Sequence, residues 1–295
     1  MILSRMDGGL GNQMFQYALS CILAQKNKDS VLIDTSFFDQ TQKRLGHTPR
    51  KFELGIFNNS YSLAIEKDLL YFKQLSVLNK VKRDLGFNYP KMYKEPSFRF
   101  DKNILNLKSP AYVRGFFQSY KYFIGYENVI KELFTFPVDK IGALNKNIIN
   151  TIKATNSIAI HIRRGDYVND PTTHQYHGIC DLNYYQKAIS LLTQENHNFT
   201  LFFFSDDCDW VKEQFNDLPY SKQFIDHNTG ENSWKDMLLM SSCNHNIIAN
   251  SSFSWWAAWL NANPNKKVIA PKKWFELSED EMNTSDLTPK EWIRL

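Results

Sequence analysis

Cysteine is scarce in this chain, and what there is cannot organise a fold. Cys21, Cys180, Cys208 and Cys243 are the only four in 295 residues. Their spacings match neither a zinc motif nor a secreted disulfide framework, which points to a reducing compartment. Long hydrophobic runs are also missing. No stretch approaches the roughly eighteen apolar residues of a spanning helix, and Met1-Ile2-Leu3-Ser4-Arg5 meets a glycine turn too early for a signal peptide. A soluble, cytosolic protein is therefore expected. Strong charge of one sign is absent too: the formal net charge is +4, and nothing in it points to nucleic acid.

What is present suits an ordinary globular protein. Apolar residues are 43% and charged residues 22% of the chain, enough to bury a sizeable core without covalent staples. The length accommodates two medium domains with a cleft between them. Aromatic residues are plentiful, with 22 Phe, 14 Tyr and 7 Trp; most are expected in cores, a few against sugar faces. Charge is uneven, because residues 1–150 hold 22 Lys/Arg against 13 Asp/Glu, which leaves 13 against 18 for residues 151–295. Much of the basic excess lies at Lys80, Lys82, Arg83, Lys91, Lys94 and Arg99. That stretch reads either as a solvated surface or as contact with an anionic membrane or acceptor.

The start of the chain reads as strand (1–6), glycine turn (Asp7-Gly8-Gly9-Leu10-Gly11), helix (12–26) and strand (31–34), a βαβ opening. No strands can be placed between about residues 60 and 150. Beyond Ser157 the pattern is clear. Apolar runs at 157–162, 200–204, 223–225, 246–249 and 267–270 alternate with helical segments at 183–192, 209–216, 234–243 and 253–260. Alternation of this kind implies a doubly wound parallel sheet, whose ligands sit at the carboxyl ends of its strands.

Polar clusters follow several of those ends. In Ser157-Ile158-Ala159-Ile160-His161-Ile162, alternation puts the three isoleucines on one face and His161 on the other, with Arg163 facing as His161 does and Arg164 opposite. An arginine fork followed by glycine suits a phosphate, since it donates two parallel charge-assisted bonds. The competing reading of Arg163 and Arg164 is an ion pair with Asp166 or another acid. Phe202-Phe203-Phe204-Ser205-Asp206-Asp207 ends in paired carboxylates that suit a divalent metal or a guanine edge. With Arg163 neutralising a diphosphate, base recognition is favoured, and Asp207 also fits a helix cap. Asn250-Ser251-Ser252-Phe253-Ser254-Trp255-Trp256 places hydroxyls at a helix start, an anion site or a plain cap, with the tryptophans packed inside. The first glycine turn, with Asp34 after the second strand, superficially suggests dinucleotide binding. Met14 stands where the third glycine belongs, so a turn that lets ligand approach Asn12 explains the residues better.

These blocks, together with Gly8-Gly9-Leu10-Gly11-Asn12-Gln13-Met14-Phe15-Gln16-Tyr17-Ala18, His161-Ile162-Arg163-Arg164-Gly165-Asp166-Tyr167 and Gly115-Phe116-Phe117-Gln118-Ser119-Tyr120-Lys121-Tyr122-Phe123, resemble bacterial α-1,2-fucosyltransferases of glycosyltransferase family 11. The resemblance covers nearly the whole chain except about 39–107. It implies an α/β fold of two Rossmann-like lobes facing across a cleft, of the glycosyltransferase B type. It further implies inverting transfer from GDP-L-fucose to a terminal β-galactoside, free or lipid-linked, with no cofactor or metal required. The lobes are expected at 1–152 (acceptor side) and 153–272 (donor side), with 273–295 packing back on the first.

By the same resemblance Arg163 binds the β-phosphate, and His161 with one of Asp206 and Asp207 reads guanine. Ser251, Ser252, Phe253 and Ser254 line the diphosphate and fucose. Arg164, Asp166, Gly9, Gly11 and Gln13 complete the expected donor set, and Gln118 and Tyr120 the acceptor set. Asn12 is expected to orient the attacking hydroxyl, with Asp7 the weaker choice for a true base. A non-catalytic protein that binds GDP-sugar or glycan is the alternative, and a nicotinamide oxidoreductase a distant third.

Overall fold

The computed structural model describes residues 1–41, 50–73, 79, 81–82, 85, 87, 89–165, 178–194, 198–276 and 283–295. These form two compact units, one of Met1–Thr135 with Asn283–Leu287, the other of Phe136–Met282 with Thr288–Leu295. The division falls earlier than the sequence expectation of 152. The reason is the helix over 142–154, which packs within the second unit. The terminal segment is divided between the units instead of packing wholly on the first.

The first unit opens with β1 (Ile2–Arg5), α1 (Leu10–Asn27), β2 (Val31–Asp34) and α2 (Ser36–Thr41). β3 (Ser62–Leu63), α3 (Glu66–Lys73), β4 (Lys91–Lys94), β5 (Ala111–Arg114) and α4 (Glu127–Leu133) follow. Its five strands are parallel, in the order β3-β2-β1-β5-β4. Of the three strands that the sequence did not reveal, β3 and β4 hold no buried residue and so offer no apolar run, whereas β5 is buried at three of its four positions. α1 starts at Gly9, whose missing side chain leaves the cap open. Glu53, far along the chain, supplies it by accepting from the Leu10 N–H at 2.9 Å. The helix ends where Lys28 turns left-handed (φ 53°) and its N–H closes onto Ala24 and Gln25.

The second unit contains α5 (Gly142–Ala154), β6 (Ser157–Ile162), α6 (Leu182–Thr193), β7 (Thr200–Ser205), α7 (Cys208–Phe215) and β8 (Ser221–Ile225). It continues with α8 (Trp234–Ser242), β9 (His245–Ile247), α9 (Ser252–Leu260), β10 (Val268–Ala270) and β11 (Ile293–Arg294). All six strands are parallel, in the order β11-β10-β9-β6-β7-β8. The expected strands and helices of this half agree with the observed ones to within two residues at each end.

Ile158, Ile160 and Ile162 pack with Tyr185, Ala188 and Ile189 of α6 and with Val211 and Phe215 of α7. α8 contacts β6 as well as α9 and α5. Two parallel sheets flanked by helices are the pair of Rossmann-like units expected. All four cysteines are free thiols. Among the described residues no helix is long and apolar enough to cross a membrane.

Candidate active site

In the second unit, β7 and β9 flank β6, so three of the polar strand ends lie side by side. Arg163 Nη1 meets Asp206 Oδ2 at 2.8 Å. The other oxygen of Asp206 accepts from the backbone N–H groups of Arg164 (2.9 Å) and Gly165 (3.0 Å). One carboxylate therefore fixes both the guanidinium and the turn that carries it. A Cβ at Gly165 would sit 2.6 Å from Asp206 Oδ2, so any larger residue there would have to move this carboxylate.

Arg164 turns away from Arg163, as alternation predicts. Its Nε lies 3.1 Å from Asp207 Oδ2, and its guanidinium stacks 3.8 Å above the Trp210 ring on α7. Asp207 also caps α7, accepting from the Trp210 N–H at 3.4 Å. The competing reading, an ion pair with Asp166 or another acid, is thus met by Asp206 and Asp207; Asp166 lies outside the described residues. Both aspartates, one of which is expected to read guanine, are engaged within the protein, which leaves each fewer acceptor positions for a base.

His161 is 7% exposed and its ring lies 5.9 Å from that of Phe253 at the start of α9. Burial lowers its pKa to about 4, helped by the Arg163 guanidinium and opposed by Asp206. The imidazole is therefore neutral at ordinary pH. Its buried Nδ1 has no hydrogen-bond partner among the described residues, an unmet demand of about 1–3 kcal/mol. Ser251 caps α9 by accepting from the Phe253 N–H at 3.3 Å. Ser252 and Phe253 are half-buried beside it. Ser254, expected to line the diphosphate, is instead fully buried and donates to the Ser251 carbonyl at 3.3 Å, because the first turn of α9 carries it inward. Trp255 and Trp256 are core residues.

Sequence reading missed one cluster, at the end of β8. Asn228 donates to Asp236 Oδ1 (2.8 Å) and Asn145 Oδ1 (3.0 Å), while His227 Nε2 lies 3.0 Å from Asn145 Oδ1. Burial raises Asp236 to about 7, against the Asn228 hydrogen bond. The Asp226-His227-Asn228 run after a short apolar strand was the available signal.

In the first unit, Asn12 Oδ1 accepts from Gln118 Nε2 at 2.8 Å. This joins the glycine turn to the segment after β5. Gly8 has φ +77°, and a Cβ there would overlap the Asn12 amide. Gln13, assigned above to the donor, is 0% exposed. Its Nε2 donates to Gly8 O (2.9 Å) and Lys51 O (2.7 Å), and its Oε1 accepts from the Glu53 N–H (2.8 Å). It is a structural residue. Gly9 is the N-cap of α1 and Gly11 is buried inside it; neither holds a positive φ. Asp7 Oδ1 accepts from Arg5 Nε at 2.9 Å, and burial raises its pKa against that pairing. Asp34 is bound by the Tyr112 hydroxyl and the Ser36 N–H and is 2% exposed, which removes the dinucleotide reading of the turn. Tyr120 opens a short 3-10 turn, half-buried. Among the described residues no cluster of His, Cys, Asp or Glu has the form of a metal site.

The model of glycosyl transferase family 11 matches residues 2–295. Among curated proteins, an α-1,2-colitosyltransferase of Escherichia coli is 34% identical over the whole of this chain and 99% of its own. The O-antigen biosynthesis glycosyltransferase WbnK of Escherichia coli is 35% identical, with 99% of each chain covered. A galactoside 2-α-L-fucosyltransferase of Caenorhabditis elegans is 28% identical over 61% of this chain and 51% of its own.

Proposed function

Since the chain belongs to glycosyl transferase family 11 and is a glycosyltransferase, we propose that it moves L-fucose from GDP-L-fucose to the 2-hydroxyl of a terminal β-galactoside. The transfer inverts the fucose carbon and forms an α-1,2 linkage in glycan or O-antigen synthesis. The carrying observation is Arg163, held by Asp206 at the end of β6 beside His161, whose ring meets Phe253 at the N-terminus of α9. A preset guanidinium near a helix N-terminus suits a diphosphate. Negative charge grows on that diphosphate as the glycosidic bond breaks, so the arginine acts most strongly in the transition state. In this reading neutral His161 contacts the guanine edge, and Ser251 and Ser252 contact the phosphates or sugar. Asn12 and Gln118 orient the acceptor hydroxyl, whose proton passes to a phosphate oxygen. No metal or other cofactor is needed, because the arginine supplies the countercharge.

The names of two relatives, one a colitosyl and one a fucosyl enzyme, frame the decisive test. Colitose lacks a hydroxyl that fucose has at carbon 3. A site that hydrogen-bonds this hydroxyl discriminates strongly against the sugar without it. The protein is incubated with GDP-fucose or GDP-colitose and a panel of β-galactosides. GDP release with a 2-linked fucosyl product is expected. Preferred colitosyl transfer would overturn the donor assignment, and saturable binding without product would identify a non-catalytic binder.

A further inference from the structure

We propose that Glu95 is a positioning residue for the acceptor side of the reaction, acting by clamping the turn that aims Gln118 at Asn12. This rests on the acceptor role proposed above for Gln118 and Asn12. Glu95 follows β4 directly, and its own N–H is bonded to the Arg114 carbonyl at the end of β5 (2.8 Å). From there its carboxylate reaches over the chain that leaves β5. Oε2 accepts from the Phe116 N–H at 2.7 Å and Oε1 from the Phe117 N–H at 2.9 Å. Two successive amides captured by the two oxygens of one carboxylate define a backbone direction, as a helix cap does.

The captured backbone is strained. Phe117 has φ +54°, a left-handed conformation that bulky side chains seldom adopt and that persists only where surroundings hold it. The Phe117 ring is 1% exposed, between Tyr93 and Tyr122. Gly115 cannot carry a side chain, because a Cβ would overlap Glu95. The next residue after the strained one is Gln118, 6% exposed, with its amide on Asn12. Ser119 then donates to the Asp286 carbonyl at 2.9 Å, so the segment is tied on both sides of Gln118. Burial raises the Glu95 pKa to about 7, opposed by the two amides. A buried carboxylate with that cost is retained against its own desolvation, and the turn is what it holds.

The experiment is a double-mutant cycle of Glu95→Ala and Gln118→Ala, with Glu95→Gln as the conservative variant, assayed with GDP-fucose and lactose. Misaiming a positioning side chain is expected to lower kcat/KM for the acceptor roughly 10- to 100-fold, with KM for GDP-fucose unchanged. Glu95→Gln should recover part of the loss, since its carbonyl oxygen still accepts one amide. In the cycle, the double variant should be little worse than Gln118→Ala, because both changes remove one interaction. Fully multiplicative losses, or an equal loss for donor and acceptor, would overturn the proposal. If Gln118→Ala leaves turnover unchanged, the acceptor reading of Gln118 fails. The clamp is then decided by hydrogen exchange: faster exchange of at least one of the Phe116 and Phe117 amides in Glu95→Gln supports it, and unchanged exchange of both refutes it.

Discussion

Asp206 holds Arg163 by a 2.8 Å contact and, through its second oxygen, the two amides that follow Arg163 in the chain. In the proposed function the guanidinium would meet the diphosphate already oriented, with the ordering cost met by folding instead of by binding. Arg163→Lys should fold normally, because a lysine still neutralises Asp206. It should lose roughly 10²- to 10³-fold in kcat, as a point charge cannot reproduce the planar fork. Steady-state kinetics beside a thermal melt decides the matter; near-normal turnover would remove Arg163 from the mechanism.

Gly165→Ala tests the same anchor without replacing a charged residue. The new methyl would displace the Asp206 carboxylate and Arg163 with it. GDP affinity measured by calorimetry should weaken by about tenfold, on the order of 1.4 kcal/mol. Unchanged affinity would mean that the turn relaxes freely around Asp206.

Gln13→Ala separates structure from donor binding. The substitution removes the Gln13 hydrogen bonds to the Glu53 amide and to the Gly8 and Lys51 carbonyls, and leaves a cavity at a fully buried position. A loss of roughly 2–4 kcal/mol in urea unfolding is expected, at constant GDP affinity. A large fall in GDP affinity with unchanged stability would restore Gln13 to the donor set.

Asp236 gives a pH signature. Burial lifts its folded pKa to about 7 from the ordinary carboxylate value of 3.8, so between these values the folded protein retains a proton that the unfolded chain has released. The stabilisation this gives is complete below pH 3.8, declines as pH rises towards 7 and is gone above it. In Asp236→Asn the contribution cannot titrate, while Asn228 keeps an acceptor. The stability of the wild type relative to this variant should therefore fall between about pH 4 and 7 and stay level above, as read from urea midpoints. A difference that stays level between pH 4 and 7 would show that Asp236 is already ionised in the folded protein over that range.

The exposed Leu85 and Phe87 beside Lys82 support a proposed peripheral contact of the first unit with anionic lipid. Cosedimentation with phosphatidylglycerol vesicles should exceed that with phosphatidylcholine and weaken in salt. Equal sedimentation with both would discard the idea.

Sequence legibility differed between the units for a physical reason. The second unit's strands are short apolar runs between amphipathic helices, so residues 157–270 could be divided by the alternation of apolar runs with helical segments. β3 and β4 hold no buried residue, so neither presents an apolar run to be read. Glu95, Glu53 and Asp286 act across loops at separations from 21 to 186 residues, which no local pattern announces.

His161, Arg163 and the turn after them were determined by the sequence itself. An alternating strand that ends in Arg-Arg-Gly must present one arginine with the histidine and the other behind, and so it does. Only the tertiary structure decided what each side chain is engaged with. It paired Arg163 with Asp206 and Arg164 with Asp207, turned Gln13 and Ser254 inward, and set Gln118 against Asn12. Spacing along a chain settles direction, whereas partners are chosen by which buried polar groups must be satisfied when distant segments come together.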